Sequence, residues 1–373
     1  MKLSRKLLFF QWNAFMQNDI ERILRKMPEI ELSCVSYEFR NPDRDDYFLT
    51  RFPKELTREK YDAVFSLNFF PLVSDLCQKL NIPYISWVYD APMNIRKLDS
   101  LGNPVNRIYV FDRGQFEDLH RKGFTTVHHK PLGVDTYKSE KLSAEVLCDI
   151  SFVGKIYSSS MDYIYSFMPS AEKARIEMAI EEQRHIYGEY ILDDFLTQNY
   201  IESLNSTLNG LQITKEELEF AMASEITRRE RIEVLSMLGR KHDLVLYSYN
   251  LPKELEGLKC MGTANYYTEM PGIFAGSRIN LNISLKIIKS GIPLRALDIM
   301  GAGGFLLSNY QKELAENYTD GKEILMYRSI SELAGIADYY LTHDEERKQI
   351  AKAGHLRTRE LFELEKMLQE LLL

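Results

Sequence analysis

SGIPLRALDIMGAGGFLLSNY, residues 290–310, decides how the chain is read. LRALDIM has helical spacing, is stopped by Gly301-Ala302-Gly303-Gly304, and runs at once into the short apolar strand FLLS. Glycine at 303 and 304 allows positive φ and close backbone approach, which a tight helix-to-strand connection needs. Before the helix, Gly291, Ile292 and Pro293 form a flexible-then-rigid hinge, so N–H groups at the helix start can face an anion. Arg295 lies in the first turn and Asp298 three residues on, along the same side. A helix start, an arginine and a carboxylate at one sheet edge point to a phosphorylated ligand. The competing reading is an ordinary α/β connection with a surface ion pair.

Outward from this stretch, strand and helix alternate. Upstream, residues 7–12, 31–37, 61–67, 84–88, 107–111 and 126–129 read as strands, with helices over 13–26, 72–80 and 114–122. A second series starts at CDISFV (148–153) and continues through strands at 243–248, 260–262, 279–283, 305–308 and 324–327. Its helices are expected over 266–275, 329–341, 345–353 and 361–372. Residues 161–240 turn wholly helical, with a capping box of Thr214 and Glu217. That block reads as an insertion serving as scaffold or subunit contact, which makes it the candidate homodimer surface. Alternation with short loops argues for parallel sheets covered on both faces. The expected fold class is α/β: two Rossmann-like doubly wound domains, 1–140 and 147–355, a polar linker over 135–146, and a C-terminal helix over 356–373.

A chain of 373 residues is long enough for two such domains, and 45% hydrophobic with 27% charged residues suits a soluble globular protein. A net charge of −7 gives no basic face for nucleic-acid phosphates. Cys34, Cys77, Cys148 and Cys260 are scattered, with no metal or redox spacing, and read as reduced thiols in a cytoplasmic protein. Lys2, Arg5 and Lys6 before LLFF resemble a signal peptide, but the apolar run is too short. No run approaches the ~20 residues of a membrane span, so any membrane contact is expected to be peripheral.

Two doubly wound domains would bring their strand C-termini around one cleft. Four loops at those ends carry candidate chemistry. In Trp87-Val88-Tyr89-Asp90-Ala91-Pro92, Asp90 can act as general base toward an acceptor hydroxyl, bind it, or simply form the turn. Gly154-Lys155 is a candidate diphosphate contact, or a solvated lysine after a strand. Tyr247-Ser248-Tyr249-Asn250 with Gly262-Thr263-Ala264-Asn265-Tyr266 could hold a nucleobase on backbone groups and an aromatic face. The fourth loop offers Arg295 for phosphate and Asp298 for a sugar or ribose hydroxyl. His128 and His129 are adjacent on a strand and point to opposite faces, one buried and one exposed, so they do not share a metal. Asp43-Arg44-Asp45-Asp46 contains a DxD string but reads as a solvated loop. No HExxH, Cys/His cluster or GxSxG elbow occurs, so metal and hydrolase chemistry lack support.

DISFVGKIY (149–157), YYTEMPGIFAGSRINLNIS (266–284), SGIPLRALDIMGAGGFLLSNYQKEL (290–314), DGKEILMYRSISELAGIADYYL, SWVYDAP and PLGVD together resemble GT-B glycosyltransferases, and more narrowly the spore-maturation-protein-like (CgeB-like) bacterial branch. The resemblance implies a nucleotide-sugar donor on the second domain, a UDP-sugar first among candidates, with no cofactor and no metal. The acceptor, a glycan, lipid-linked or protein group, would lie on the first domain. Tyr89 and Asp90 fall on the catalytic side. Donor contacts fall on Gly154, Lys155, Tyr249, Thr263, Tyr266, Ser290, Gly291, Arg295, Asp298, Asn309 and Tyr310. In the broader retaining group the donor helix carries two glutamates separated by seven residues; Asp298 takes the second place and Ser290 the first, which is a departure. With no metal, Arg295, Lys155 and the Gly291 backbone would offset the leaving diphosphate. A sugar-nucleotide epimerase of the same architecture and a non-catalytic glycan-binding module are the alternatives.

Overall fold

In the computed structural model, residues 4–39, 41, 44–93, 95, 98–137, 145–249 and 251–373 are described. Asp43, Asn250 and residues 138–144 of the expected linker lie outside them. The chain divides into two units: Met1–Asp135 with Gly291–Leu294 and Leu361–Leu373, and Thr136–Ser290 with Arg295–Glu360.

The first unit is a six-stranded sheet. Its elements are β1 (Arg5–Gln11), α1 (Gln17–Leu24), β2 (Ile30–Ser36), α2 (Asp46–Leu56), β3 (Ala63–Leu67), α3 (Pro71–Leu80), β4 (Tyr84–Val88), β5 (Asn106–Val110), α4 (Arg113–Arg121) and β6 (Val127–His129). Every pairing is parallel, in the order β2-β1-β3-β4-β5-β6. Near-continuous apolar strands such as LLFF and AVF are buried because helices cover both faces. The order reverses between β1 and β3, so the crevice for a ligand lies where those two strands end.

Helix α2 was not expected. Asp45, read as part of a solvated loop, is buried; its side chain accepts from the Phe48 N–H at 2.9 Å and from the Tyr37 hydroxyl at 2.9 Å. It therefore caps a helix whose internal Pro53 disguised it in the sequence. Helix α1 starts only at Gln17, because Asn13 and Met16 adopt left-handed backbone (φ 66° and 64°).

The second unit contains β7 (Cys148–Val153), α5 (Met161–Tyr165), α6 (Ser170–His185), α7 (Leu192–Phe195), α8 (Gln198–Thr207), α9 (Lys215–Gly239), β8 (Leu244–Tyr247), β9 (Lys259–Cys260), α10 (Met270–Gly276), β10 (Ser277–Asn282), α11 (Leu294–Gly301), β11 (Leu306–Asn309), α12 (Lys312–Asn317), β12 (Leu325–Tyr327), α13 (Ile330–Tyr340) and α14 (Asp344–Phe362). The parallel order is β12-β11-β10-β7-β8-β9, with the switch point between β7 and β10. Helices α5–α9 enclose an apolar core of their own, including Ile176, Leu204 and Met222, and the Thr214–Glu217 capping box closes the start of α9. Three expectations are corrected. Helix α12 forms where no element was expected. Helix α10 begins at Met270 rather than 266, because Asn265 Oδ1 accepts from the Tyr267 and Thr268 N–H groups and holds a turn. Helix α14 runs unbroken through Gly354, whose bare Cα lets the Glu323 carbonyl approach so closely that a Cβ would sit 2.2 Å from it. A last helix, α15 (Leu364–Leu372), packs against α1 in the first unit.

In the 290–310 stretch the expected helix, glycine stop and strand form, but the Gly291 N–H expected to face an anion donates to the Asp112 carboxylate instead. Gly304 N–H donates to Ile299 O and Gly303 N–H to Met300 O, with Gly303 at φ +79°, which is a Schellman stop. A Cβ on Gly304 would meet Phe274 O at 2.6 Å and Asn280 Nδ2 at 2.7 Å.

Candidate functional site

At the switch point of the second unit, β7 ends in Gly154-Lys155 and β10 leads to α11. Gly154 N–H donates to Tyr247 O at 3.1 Å, and the Lys155 side chain is exposed. Arg295 is half-buried; its Nη1 meets Met270 Sδ at 3.0 Å and its guanidinium lies 5.5 Å from the Phe274 ring. Burial lowers its pKa, with Asp298 and Tyr266 opposing. A thioether is a weak acceptor, so this guanidinium keeps most of its five donors for another partner. Asp298 accepts from the Tyr266 hydroxyl at 3.0 Å. Asp298 and Tyr266 are thus joined by a hydrogen bond, and both act on the Arg295 charge, although Tyr266 was expected with the nucleobase loop rather than beside these two.

Two further cations converge there. Arg231, on α9, donates Nε to Ile283 O at 3.2 Å and Nη1 to Lys155 O, and lies 5.2 Å from the Phe152 and Tyr157 rings. Burial lowers its pKa, and Arg295 adds to the lowering. Lys286 Nζ donates to Ile186 O at 2.8 Å, 4.5 Å from the Tyr187 ring; burial lowers its pKa while Glu230 opposes. The carboxylates of Glu230 and Asp298 act against these cations, so the charges there are partly offset. Neither Arg231 nor Lys286 was singled out in the sequence, yet Arg231 falls on the buried stripe of α9 with Thr227, Val234, Leu235 and Leu238. A charge on an apolar stripe is the signal that could have found it.

The remaining donor-side residues sit as follows. Ser290 is buried and its Oγ donates to Glu313 Oε1 at 2.8 Å, so a carboxylate stands beside the position that lacks one. Asn309 Oδ1 accepts from Ser284 N–H at 2.8 Å, which ties the ends of β10 and β11. Tyr310 underlies the Arg328 guanidinium at 4.1 Å. Tyr249 and Thr263 are exposed on the loops after β8 and β9, one and two strands from β7. Gly291 groups with the first unit, where its N–H donates to Asp112 Oδ1 at 2.9 Å and a Cβ would meet Asp112 Cα at 2.8 Å.

In the first unit, a cavity of about 390 Å³ opens where β1, β3 and β4 end. Trp12, Glu38, Phe39, Asn68, Phe70 and Asp90 are among its walls. Asn68, buried and left-handed at φ 60°, donates Nδ2 to Asp90 Oδ2 at 2.7 Å and accepts from Tyr89 N–H at 3.0 Å. Asn68 thus orients the loop that carries both predicted catalytic-side residues. Trp12 donates Nε1–H to Leu67 O at 2.7 Å, stacks on Tyr89 (6.2 Å, 8°) and meets the Phe70 edge at 5.7 Å. Asn13, another cavity residue, and nearby Met16 share the left-handed strain, which gathers at functional sites. His128 is exposed and His129 only half-buried, its Nε2 3.2 Å from Phe111 O, so the expected burial of one histidine is partial. Among the described residues, no group of three or more His, Cys, Asp or Glu side chains could hold a metal ion, and no helix is long and apolar enough to cross a membrane.

Residues 228–373 match the family described as glycosyl transferase-like. No curated protein matches the sequence. Among solved structures, the Anabaena protein HepE in complex with UDP and glucose is similar at 10% identity and TM-score 0.59, with 98% of each chain covered. A glycosyltransferase from Rickettsia africae is similar at 11% identity and TM-score 0.57, covering 98% of this chain and 96% of that one. Sucrose-phosphate synthase from Thermosynechococcus elongatus is similar at 9% identity and TM-score 0.56, covering 98% and 97%. The fold is that of the GT-B glycosyltransferases. The matching glycosyl transferase-like domain and these structural neighbours together indicate a glycosyltransferase.

Proposed function

We propose that this enzyme moves a sugar from a nucleoside diphosphate sugar, a UDP-sugar first among donors, to an acceptor hydroxyl, in the cytoplasm and without a metal. The observation that carries the reading is Arg295, a half-buried guanidinium at a sheet switch point that is hydrogen-bonded to a thioether and lies beside an aromatic ring, with the Asp298 carboxylate near enough to act on its charge. Such a group suits a diphosphate, which takes bidentate hydrogen bonds and offsets the buried charge. Lys155, exposed at the end of β7, would add a second charge to the leaving group. Asp298, held by Tyr266, would accept from a ribose or sugar hydroxyl. Glu313, bonded to Ser290, supports a carboxylate role at the position where the broader retaining group carries a glutamate. UDP and glucose in the HepE complex agree with this donor class. The motifs in residues 266–314 support the narrower CgeB-like branch.

On the acceptor side, Asp90 takes the proton of the attacking hydroxyl while Asn68 fixes its direction. The hydroxyl oxygen bonds to the anomeric carbon, and the diphosphate leaves with the electron pair of the broken bond. Incubation with labelled UDP-sugars tests this. Transfer to added saccharide with release of UDP is expected; conversion of the nucleotide sugar without acceptor would point to an epimerase. Asp90→Asn should abolish transfer and leave UDP affinity intact. Loss of UDP binding in that variant would make Asp90 structural.

A further inference from the structure

We infer that Arg231, on the long helix α9 of the helical insertion, is a positioning residue for the donor. It ties together the two loops that flank the second unit's switch point and so sets the place of the diphosphate between them. The inference rests on the donor reading above and gives the insertion a part in that site.

The crevice opens at the ends of β7 and β10, the strands on either side of the switch point. Arg231 reaches past both. Its Nη1 donates to Lys155 O beyond β7, while Nε, at 3.2 Å, and Nη2 donate to Ile283 O just beyond β10. A planar fork with donors on two edges holds two acceptors at a fixed spacing, which an ammonium on a flexible stem does not. Among the described residues these two carbonyls are its only hydrogen-bond partners, so the bonds fix the loops.

Lys155 depends on this tie. Beyond the Gly154–Tyr247 bond that ends β7, the backbone of residues 155–159 makes no hydrogen bond to another backbone group among the described residues. Within that segment only Ile156 is buried. The exposed Lys155 side chain therefore takes its position from a peptide held by one buried neighbour and by Arg231. On the other side of the crevice, Thr227 lies one turn earlier on α9 and is fully buried. It accepts from the Lys286 N–H at 2.9 Å, and Lys286 Nζ donates to Ile186 O at 2.8 Å. The insertion thus grips the start of the β10–α11 loop through backbone and side chain. Val234, Leu235 and Leu238 pack α9 into the core of the sheet apart from these bonds, so the helix keeps its place when Arg231 is changed.

Isothermal titration with UDP, and with GDP as a second base, separates positioning from folding. A misfolded fraction lowers the number of sites, whereas a displaced loop raises the dissociation constant. Arg231→Met keeps the stem and loses the fork; it should weaken the nucleotide ~10-fold with the number of sites unchanged. Arg231→Lys keeps the charge but reaches one carbonyl, and should still weaken binding ~3-fold. Where these variants fail to fold, Thr227→Val loosens the same loop and should raise the constant ~3-fold. Arg229→Met, on the same helix but in a separate ion-pair network, should leave the constant unchanged. In a Lys155→Ala background, Arg231→Met should cost less than ~3-fold, because it acts largely through Lys155.

An unchanged constant in Arg231→Met, or in Thr227→Val where that variant stands in, overturns the inference. So does an Arg231→Lys protein that binds as tightly as the wild type, since charge alone would then matter. Full additivity with Lys155→Ala, or an equal loss in Arg229→Met, overturns it too. In each of these cases the donor reading survives, because the wild type still binds the nucleotide. A wild type that binds neither UDP nor GDP overturns the donor reading and the inference with it.

Discussion

Replacing Arg295 with Met should separate binding from stability. Among the described residues the guanidinium hydrogen-bonds to Met270 Sδ and lies 5.5 Å from the Phe274 ring; burial opposes its charge more strongly than Asp298 supports it. Met matches its length and removes the desolvation penalty, at the loss of a cation–π contact worth about 1 kcal/mol. The expected change in stability is within about 1 kcal/mol of zero. Catalysis should respond differently. Loss of a charged contact to the leaving group costs ~3 kcal/mol, roughly 100-fold in kcat/KM. The assay is thermal unfolding with and without UDP, beside steady-state transfer rates. At 100 times its dissociation constant, UDP adds about 2.7 kcal/mol to the wild type; a 100-fold weaker site at the same concentration adds only ~0.4 kcal/mol. Equal UDP stabilisation of both proteins would refute the diphosphate clamp. A loss above about 2 kcal/mol without ligand would show that Arg295 is structural after all.

Asn68→Ala removes both hydrogen bonds to the Tyr89-Asp90 loop and places alanine at φ 60°, so kcat should fall ~10–100-fold with UDP affinity unchanged. An unaltered kcat would mean that Asp90 needs no positioning. In the helical insertion, Arg229 binds Glu177, Glu181 and Glu225 at 2.7–2.8 Å, and Glu225 is 5% exposed. Arg229→Met should cost about 2 kcal/mol at pH 7 by urea unfolding, discounted because the pairs are partly solvated. Arg229 holds the Glu177 pKa below its ordinary value, so the pair stabilises above the unfolded pKa and fades as pH falls. The difference between wild type and variant should therefore shrink below pH ~4. Gly304→Ala should cost ~1–3 kcal/mol, since its Cβ meets fixed atoms of Phe274 and Asn280. Gly335→Ala, in open space within α13, should gain about 0.5–1 kcal/mol in the same assay.

The alternation of apolar runs made both sheets legible, because a strand buried on two faces has no freedom to be polar. The stop at Gly301–Gly304 was legible for a similar reason: φ +79° at Gly303 and the crowding at Gly304 each demand glycine. Interactions that cross the chain were not legible. Asn68 is one polar residue in NFF until β4 brings Asp90 beside it. Ser290 reads as a missing carboxylate until α12, itself unforeseen, presents Glu313. Asp45 sits among charges that looked solvated, and only the fold reveals Tyr37 and the Phe48 N–H around it. Arg231 hid in a helix rich in charges, although its position on the buried stripe marked it.

The last helix carries a consequence for how the protein is made. Residues 361–373 belong to the first unit, where Val134 N–H donates to Phe362 O, Leu364 N–H to Val134 O, and Lys130 pairs with Glu370 at 2.8 Å. Ribosomes reach them only after all of residues 136–360, a delay on the order of tens of seconds at ~5–20 residues per second. Until then the β1–β6 sheet waits without the helix that packs against α1. Its completion therefore waits on synthesis of the second unit, and a fragment ending near residue 140 would stay at that half-built stage.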